Sequence, residues 1–166
     1  MSVIDTLVTD RTEADVSRYS ELRDKGWAEM TAAERAEWQS GMKGAYNPSS
    51  DMNRVASAMA YLSQRFASAG YSVPISSPTD WANGDIPTKG DMDTYLDDLR
   101  RIRAALAVMD TTPSAPGSMD YLTWAKANDI EKILVDVDDL LTKIAGTVDL
   151  GWALGIAHIG LYGGIT

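Results

Sequence analysis

The sequence contains no cysteine and a single histidine, His158. Disulfide bridges and thiolate metal sites are therefore excluded, and so is a metal site built from several histidines. Catalysis by a serine or cysteine nucleophile needs a base beside the nucleophile and a third group that orients the base. His158 lies in an apolar, glycine-rich stretch with no such pattern near it. We therefore predict that it packs in the core or at an interface and does not catalyse.

Positive charge and long apolar runs are also scarce. Lysine and arginine number 15 against 24 aspartates and glutamates, which gives a formal net charge of −9. Nucleic acids and anionic membranes attract clustered basic residues, so neither is an expected partner. No apolar run approaches the roughly 20 residues of a membrane-spanning helix. Because the N-terminal residues lack the basic start and apolar region of a signal peptide, we expect a cytosolic product that is not exported through a cleaved signal.

The common sequence patterns of cofactor binding and catalysis are missing as well. There is no GxGxxG or phosphate-binding loop, and no segment matches the twelve-residue calcium loop. Asp80, Asp85, Asp91 and Asp93 could supply the two carboxylates of a glycoside hydrolase. Acidic residues at helix starts are normally caps, and we predict that role here. The chain is predicted not to be an enzyme, with no catalytic, cofactor-binding or metal-binding residues.

Helix signals dominate what the sequence does contain. Thr12, Thr31 and Thr88 are each followed three positions later by an acidic residue, which is the spacing of a capping box. Asn47 precedes Pro48, and proline tolerates the first turn of a helix but not its interior. Apolar residues recur at steps of three or four after these starts. The sequence predicts helices near 12–25, 31–39, 51–69, 89–109 and 123–145, which form a small all-α bundle over residues 12–146.

The predicted core residues lie on the apolar faces of these helices and on the turns that join them. They are Trp27, Tyr46, Val55, Met59, Leu62, Leu99, Ile102, Ile130, Ile133 and Val137. The acidic residues of the last helix, Glu131 and Asp136 among them, are predicted to face outward or sideways. The same helix is predicted to end at Gly146, because glycine is the usual residue after a helix C-terminus.

Both ends of the chain are apolar. Residues 1–11 are predicted to form an extended arm or a strand that pairs with another segment. We expect this arm to be docked, because termini are often disordered unless they are tied down and an arm this apolar is unfavourable in water. From Leu150 to Ala157 large and small residues alternate, which is the period of a strand. A helix is the alternative, although each glycine weakens it.

We predict that residues 147–166 form an assembly tail that packs on another subunit or another protein. Its large apolar residues are the candidate interface: Leu150, Trp152, Leu154, Ile156, Ile159, Leu161 and Tyr162. Trp152 is predicted to be the main anchor, because large aromatic residues commonly dominate interfaces. The alternative is that the tail folds back and completes the core of its own domain.

Residues 71–90 contain three prolines and two glycines and predict a long loop. A loop of this length in a compact domain is usually functional or a linker. Tyr71 and Trp81 are its candidate contacts for a ligand or a partner. The alternative for Trp81 is an anchor that fixes the loop to the helices, since so large a ring contributes most when it is buried.

A fixed order of short motifs runs over roughly residues 9–144. It comprises GW, MTAAERAEW and KGAYNPSSDMNRV, a proline-rich middle that contains Trp81, and LTWAKANDIEKILVD. In this order the chain resembles proteins encoded in the tail modules of phages and prophages of Gram-positive gut bacteria. The segment from Gly41 to Arg54 is the most specific part. The sequence after Gly146 departs from the pattern, in which an aromatic, strand-like ending is more usual.

This resemblance implies a structural virion protein of the tail, baseplate or fibre-attachment region, made in the host cytoplasm. It implies no enzymatic activity and no cofactor. The expected partners are other virion tail proteins, and proteins of this kind usually form symmetric homo-oligomers. The alternative is a module that binds a glycan or a protein on the host surface, with its tryptophans as stacking platforms.

Overall fold

The computed structural model describes the backbone of residues 2–162 and the side chains of residues 2–146. Five α-helices follow one another along the chain: α1 (Glu13–Glu29), α2 (Ala32–Gln39), α3 (Asn53–Ser68), α4 (Lys89–Ala104) and α5 (Trp124–Tyr162). A 3-10 helix at Val3–Thr6 precedes them, and a π-helical turn at Pro48–Met52 leads into α3. The described residues contain no strand. The prediction of an all-α fold is confirmed.

The helix starts lie where the sequence predicts them. Capping boxes pair Thr12 with Asp15, Thr31 with Glu34 and Thr88 with Asp91. In each box the threonine hydroxyl accepts a hydrogen bond from a first-turn N–H, and the carboxylate accepts one from the threonine N–H. Asn47 and Pro48 likewise begin the helical turn before α3. These starts depend on residues three positions apart, so the local sequence is sufficient to specify them.

Three helix ends differ from the sequence prediction. After the expected end of α1 at Lys25, Gly26 adopts a φ of 73° and the chain forms one more short helical segment to Glu29. Helix α4 stops at Ala104, well before residue 109, and the Arg103 side chain donates to backbone carbonyls of the returning segment at 112–113. Helix α5 continues through Gly146, and the backbone is helical, not extended, as far as Tyr162. A glycine costs a helix about 1 kcal/mol and does not have to end it.

Helices α3, α4 and α5 pack against one another and enclose the core. Eight of the ten predicted core residues are fully buried: Val55, Met59, Leu62, Leu99, Ile102, Ile130, Ile133 and Val137. Tyr46 is half-buried and packs against this core. Trp27 was predicted to be buried, which is wrong, because 48% of it is exposed. The bend at Gly26 precedes Trp27, and the Arg35 guanidinium lies 5.3 Å from the centre of its ring.

The N-terminal arm is docked on its own domain and is not fully extended. Ser2 caps the 3-10 helix Val3–Thr6, and Val3, Ile4 and Leu7 pack partly buried against the core. The helical turn shortens the arm and turns these side chains onto α3 and α5. The apolar character of this segment is therefore explained within one chain.

Candidate functional site

The most specific sequence motif, from Gly41 to Arg54, meets the N-terminal arm and α5 at a group of four charged side chains. We call Arg11, Asp51, Arg54 and Glu131 the ion cluster. The Arg11 Nη2 atom lies 3.0 Å from Asp51 Oδ1 and 2.7 Å from Glu131 Oε1. The Arg54 Nη2 atom lies 2.7 Å and 2.8 Å from the same two oxygens. Each arginine therefore contacts both carboxylates.

The ion cluster is formally neutral and three of its four residues are buried, while 19% of the Arg54 side chain is exposed. Arg11, Asp51 and Glu131 are 3%, 7% and 0% exposed. Burial opposes the charged form of Arg54, but its hydrogen bonds to Glu131 and Asp51 outweigh that effect and raise its pKa. Since buried charges are tolerated only when they are paired, the cluster specifies how three distant segments fit together. The prediction that Glu131 faces outward or sideways is wrong, because its partners are two arginines from other elements.

The ion cluster also ties the N-terminal arm to α5. The Val8 N–H donates to Glu131 Oε2 at 2.5 Å. The Arg11 N–H donates to Asn128 Oδ1 at 3.0 Å, and Asn128 Nδ2 donates back to the Arg11 carbonyl at 2.9 Å. The backbone of residues 8–11 is thus held by side chains of α5, and the arm is an integral part of the domain.

Gly44 is required by a close approach between the motif and α1. A Cβ atom at this position would lie 2.1 Å from the Asp15 carbonyl oxygen. Two residues later, the Tyr46 hydroxyl lies 2.6 Å from the Tyr95 hydroxyl of α4, and burial raises the pKa of both phenols. The Arg11 guanidinium lies 5.4 Å from the centre of the Tyr46 ring. The motif therefore joins α1, α4 and the ion cluster.

The two candidate contact residues of the long loop, Tyr71 and Trp81, differ in their exposure and in their neighbours. Asn53 Nδ2 donates to the Trp81 carbonyl and Asn53 Oδ1 accepts from the Trp81 N–H, both at 2.9 Å. Trp81 is half-buried and packs against the core, as expected of an anchor. Tyr71 is 49% exposed. The centre of its ring lies 6.3 Å from that of Phe66, and the two rings are nearly perpendicular. A ligand role for the two rings stays a prediction, but they do not stack on each other.

The predicted capping role is confirmed for Asp91, which belongs to the α4 capping box. Asp85 accepts from the Ala82 N–H within the loop, and Asp93 pairs with Lys89.

A further carboxylate, the buried Asp98 of α4, fixes the loop. It accepts from the Ser76 and Ser77 N–H groups at 2.7 Å. Nothing in the sequence around Asp98 indicates this role, because its partners lie more than 20 positions away.

A groove of about 380 Å³ lies between α1, the turn at 43–46 and the start of α5. We call it the α5 groove. Its apolar wall consists of Val16, Ala45, Tyr46, Leu122, Trp124 and Ala127, and its charged residues are Arg11, Glu13 and Lys43. Trp124 is 39% exposed, and nearby Tyr121 is 96% exposed with a φ of 51°. Sequence reasoning did not identify this groove, because residues far apart in the chain form it.

The predicted assembly tail follows the last residues of α5 whose side chains the structure describes. Up to Gly146, Leu141 is the last buried residue of the helix, and none of the residues 142–146 is buried. The helix nevertheless continues to Tyr162. The side chains of the seven candidate interface residues and of His158 lie outside the described ones. Their role in assembly stays a prediction.

Within the described residues, no group of His, Cys, Asp and Glu side chains is arranged to hold a metal ion. The same residues include no helix with the length and apolar content needed to span a membrane. No protein-family model, curated protein or solved structure matches this chain.

Proposed function

We propose that this protein is a structural component of a phage tail, baseplate or fibre-attachment region, where it acts as a protein–protein assembly element. The observation that carries the proposal is that α5 is much longer than the helices it packs against. None of its residues 142–146 is buried, and its backbone remains helical to Tyr162. The additional helical segment is rich in large apolar residues.

The lengths of the helices support this interpretation. A helix rises 1.5 Å per residue, so the 39 residues of α5 correspond to about 58 Å. Its neighbours α3 and α4 have 16 residues each, or about 24 Å, and can flank less than half of it. Burial of a large apolar side chain is worth about 1.5–3 kcal/mol. A partner that covers the tail would therefore stabilise the complex substantially.

The resemblance in motif order supports a place in the virion. In this chain the motif residues determine the scaffold: the ion cluster joins the arm to α5, Gly44 permits contact with α1, and Asn53 holds the loop. A chain with the same motifs in the same order is expected to share that scaffold. The scaffold positions α5 and the tail that follows it, which is what an assembly element needs.

Analysis of purified particles tests the proposal. Particles induced from a host that encodes this chain would be separated from lysate by density and examined by mass spectrometry, then by electron cryomicroscopy. We expect the chain to co-purify at a fixed ratio to the known tail proteins and to be placed in the tail density. A chain that is abundant in the lysate and absent from intact particles would contradict the proposal.

A module that binds a host-surface glycan is the second candidate, and the exposed aromatic residues favour it. Tyr121 is 96% exposed, Tyr71 49% and Trp124 39%, and exposed rings can stack on sugars. Binding to a glycan array that is lost in Tyr121→Ala or Trp124→Ala would favour this function. No binding to any glycan by the folded wild-type chain would remove it.

A further inference from the structure

We propose that the α5 groove of one copy receives the apolar tail, residues 147–166, of the next copy, so that copies assemble head to tail. This inference depends on the proposed function, in which the tail is an assembly element. It adds the partner, which is a second copy of this chain, and the place where the tail binds. A head-to-tail contact joins two different surfaces and generates a ring or a filament.

The tail cannot fill the groove of its own chain. The groove is built around Trp124, at the first residue of α5, and the tail follows Gly146. Because α5 is continuous between these positions, about 33 Å of rigid helix separates them. The tail also continues away from the groove as helix up to Tyr162. Insertion therefore requires another copy.

The chemistry of the two surfaces matches. Apolar side chains form most of the groove wall, with Leu122, Trp124 and Ala127 on one side and Val16 on the other. The tail contains Leu150, Trp152, Leu154 and Ile156, separated by Gly and Ala. In the helical tail Trp152, Ile156 and Ile159 recur at i, i+4 and i+7, which is the spacing by which one apolar helix face binds in a groove.

The distribution of charge favours this pairing over others. All 15 basic residues and 23 of the 24 acidic residues lie outside the tail, where Asp149 is the sole charged side chain. Two copies that met through their acidic domain surfaces would repel each other. The nearly uncharged tail avoids that repulsion, because it meets the apolar wall of the groove without bringing two acidic surfaces together.

Two exposed aromatic residues at and just before the start of α5 are suited to an interface, and one of them lines the groove. Tyr121 is almost fully exposed in a left-handed conformation, which is uncommon for a residue other than glycine. Trp124 forms part of the wall and remains 39% exposed. Exposed aromatic residues beside a pocket are typical of the positions that dominate binding energy.

Cross-linking tests the proposal directly, because the chain has no cysteine and each introduced thiol is unique. Full-length Lys43→Cys and Ala153→Cys chains would be mixed in equal amounts and treated with a short bismaleimide. Lys43 lies at the groove. The matched control replaces Lys43→Cys by Ile86→Cys, a residue that is 88% exposed and lies in the long loop. We expect several-fold more cross-linked dimer with Lys43→Cys than with Ile86→Cys, and equal yields would overturn the proposal.

Light scattering on full-length variants separates this inference from the proposed function. We expect Trp124→Glu to reduce the oligomer mass to that of a monomer, while Tyr71→Glu, at another exposed ring, leaves it unchanged. If Trp152→Glu dissociates the oligomer and Trp124→Glu does not, the tail binds elsewhere and this inference alone fails. If Trp152→Glu leaves the oligomer intact, the assembly role of the tail fails with it. A wild-type chain that stays monomeric and does not cross-link also overturns the inference, even if it is found in particles.

Discussion

The two parts of α5, before and after Leu141, differ in their charge and, as far as Gly146, in their burial. Between Trp124 and Leu141 the helix packs on α3, α4 and the N-terminal arm, and it carries charges into the interior. Glu131 is paired with two arginines, and Asp136 is paired with Lys132 and accepts from the Thr112 hydroxyl at 2.9 Å. From Thr142 to Gly146 no residue is buried. Beyond Asp149 the sequence has no charge.

The first part of α5 departs from the usual distribution of polarity. Charged residues are normally exposed, yet the domain buries Glu131 and Asp136. A buried charge is costly unless its partners are in place, so the first part of α5 specifies one arrangement of the chain. In the proposed function, a partner covers the uncharged, apolar continuation.

The largest expected effect comes from breaking the ion cluster. Glu131→Ala would leave Arg11 and Arg54 with half of their compensating charge and the Val8 N–H without its acceptor. We expect the free energy of unfolding in urea to fall by about 3–5 kcal/mol. The control is Asp139→Ala at an exposed acidic position on the same helix, expected to change it by less than about 0.5 kcal/mol. Equal effects of the two substitutions would show that the cluster does not specify the fold.

A smaller loss is expected where the motif contacts α1. Gly44→Ala would place a methyl group 2.1 Å from the Asp15 carbonyl oxygen, so backbone must move. We expect a loss of about 1–3 kcal/mol in the free energy of unfolding. Gly117→Ala is the control, because an added methyl group there meets no atom within 4 Å. A neutral Gly44→Ala variant would mean that the close approach is not needed.

The loop should respond to the loss of Asn53. Asn53→Ala removes both hydrogen bonds to the Trp81 backbone, and we expect a cost of about 1–2 kcal/mol. Amide hydrogen exchange should become faster at residues 79–83 and remain unchanged in α5. Asn83→Ala, at an exposed position in the same loop, should alter neither quantity. Unchanged exchange around Trp81 in Asn53→Ala would argue against its role as a loop anchor.

The smallest effect concerns the α2 capping box, which is remote from α5. The Lys25 side chain, with further hydrogen bonds from Thr31, lowers the pKa of Glu34 to about 2 from its ordinary 4.5. The ionised Glu34 carboxylate therefore stabilises the folded state fully above about pH 4.5, and this contribution is lost as the pH falls towards 2. Glu34→Gln should have a lower Tm than the wild type at pH 7 and the same Tm near pH 2. A difference in Tm that stays constant over this range would contradict the assigned pKa.

The helix starts could be predicted from the sequence because they depend on short-range contacts. Thr12, Thr31 and Thr88 each form the capping box that their spacing indicates. The apolar faces of α3, α4 and α5 also place most core residues correctly, since period and burial are linked in an amphipathic helix. The fold class follows from these two kinds of local information.

The ion cluster and the α5 groove could not be predicted, because their parts are far apart in the chain. Arg11 meets Glu131 across 120 positions, and no local pattern distinguishes Glu131 from an exposed acid. Asp51, in the helical turn before α3, and Arg54, in α3, stand three positions apart. This spacing predicts an ion pair but does not indicate that the pair is buried. At Gly146 the local sequence was informative but wrong. Glycine favours a helix end, yet α5 continues through this residue.

Removal of the tail is the measurement that tests the comparison between the two parts of α5 most directly. A chain that ends at Gly146 would be compared with the full chain by urea unfolding and by light scattering. We predict an unchanged free energy of unfolding for the domain together with loss of the oligomer. A truncated chain that is unfolded or strongly destabilised as a monomer would show that the tail completes its own core, and would contradict the assembly role.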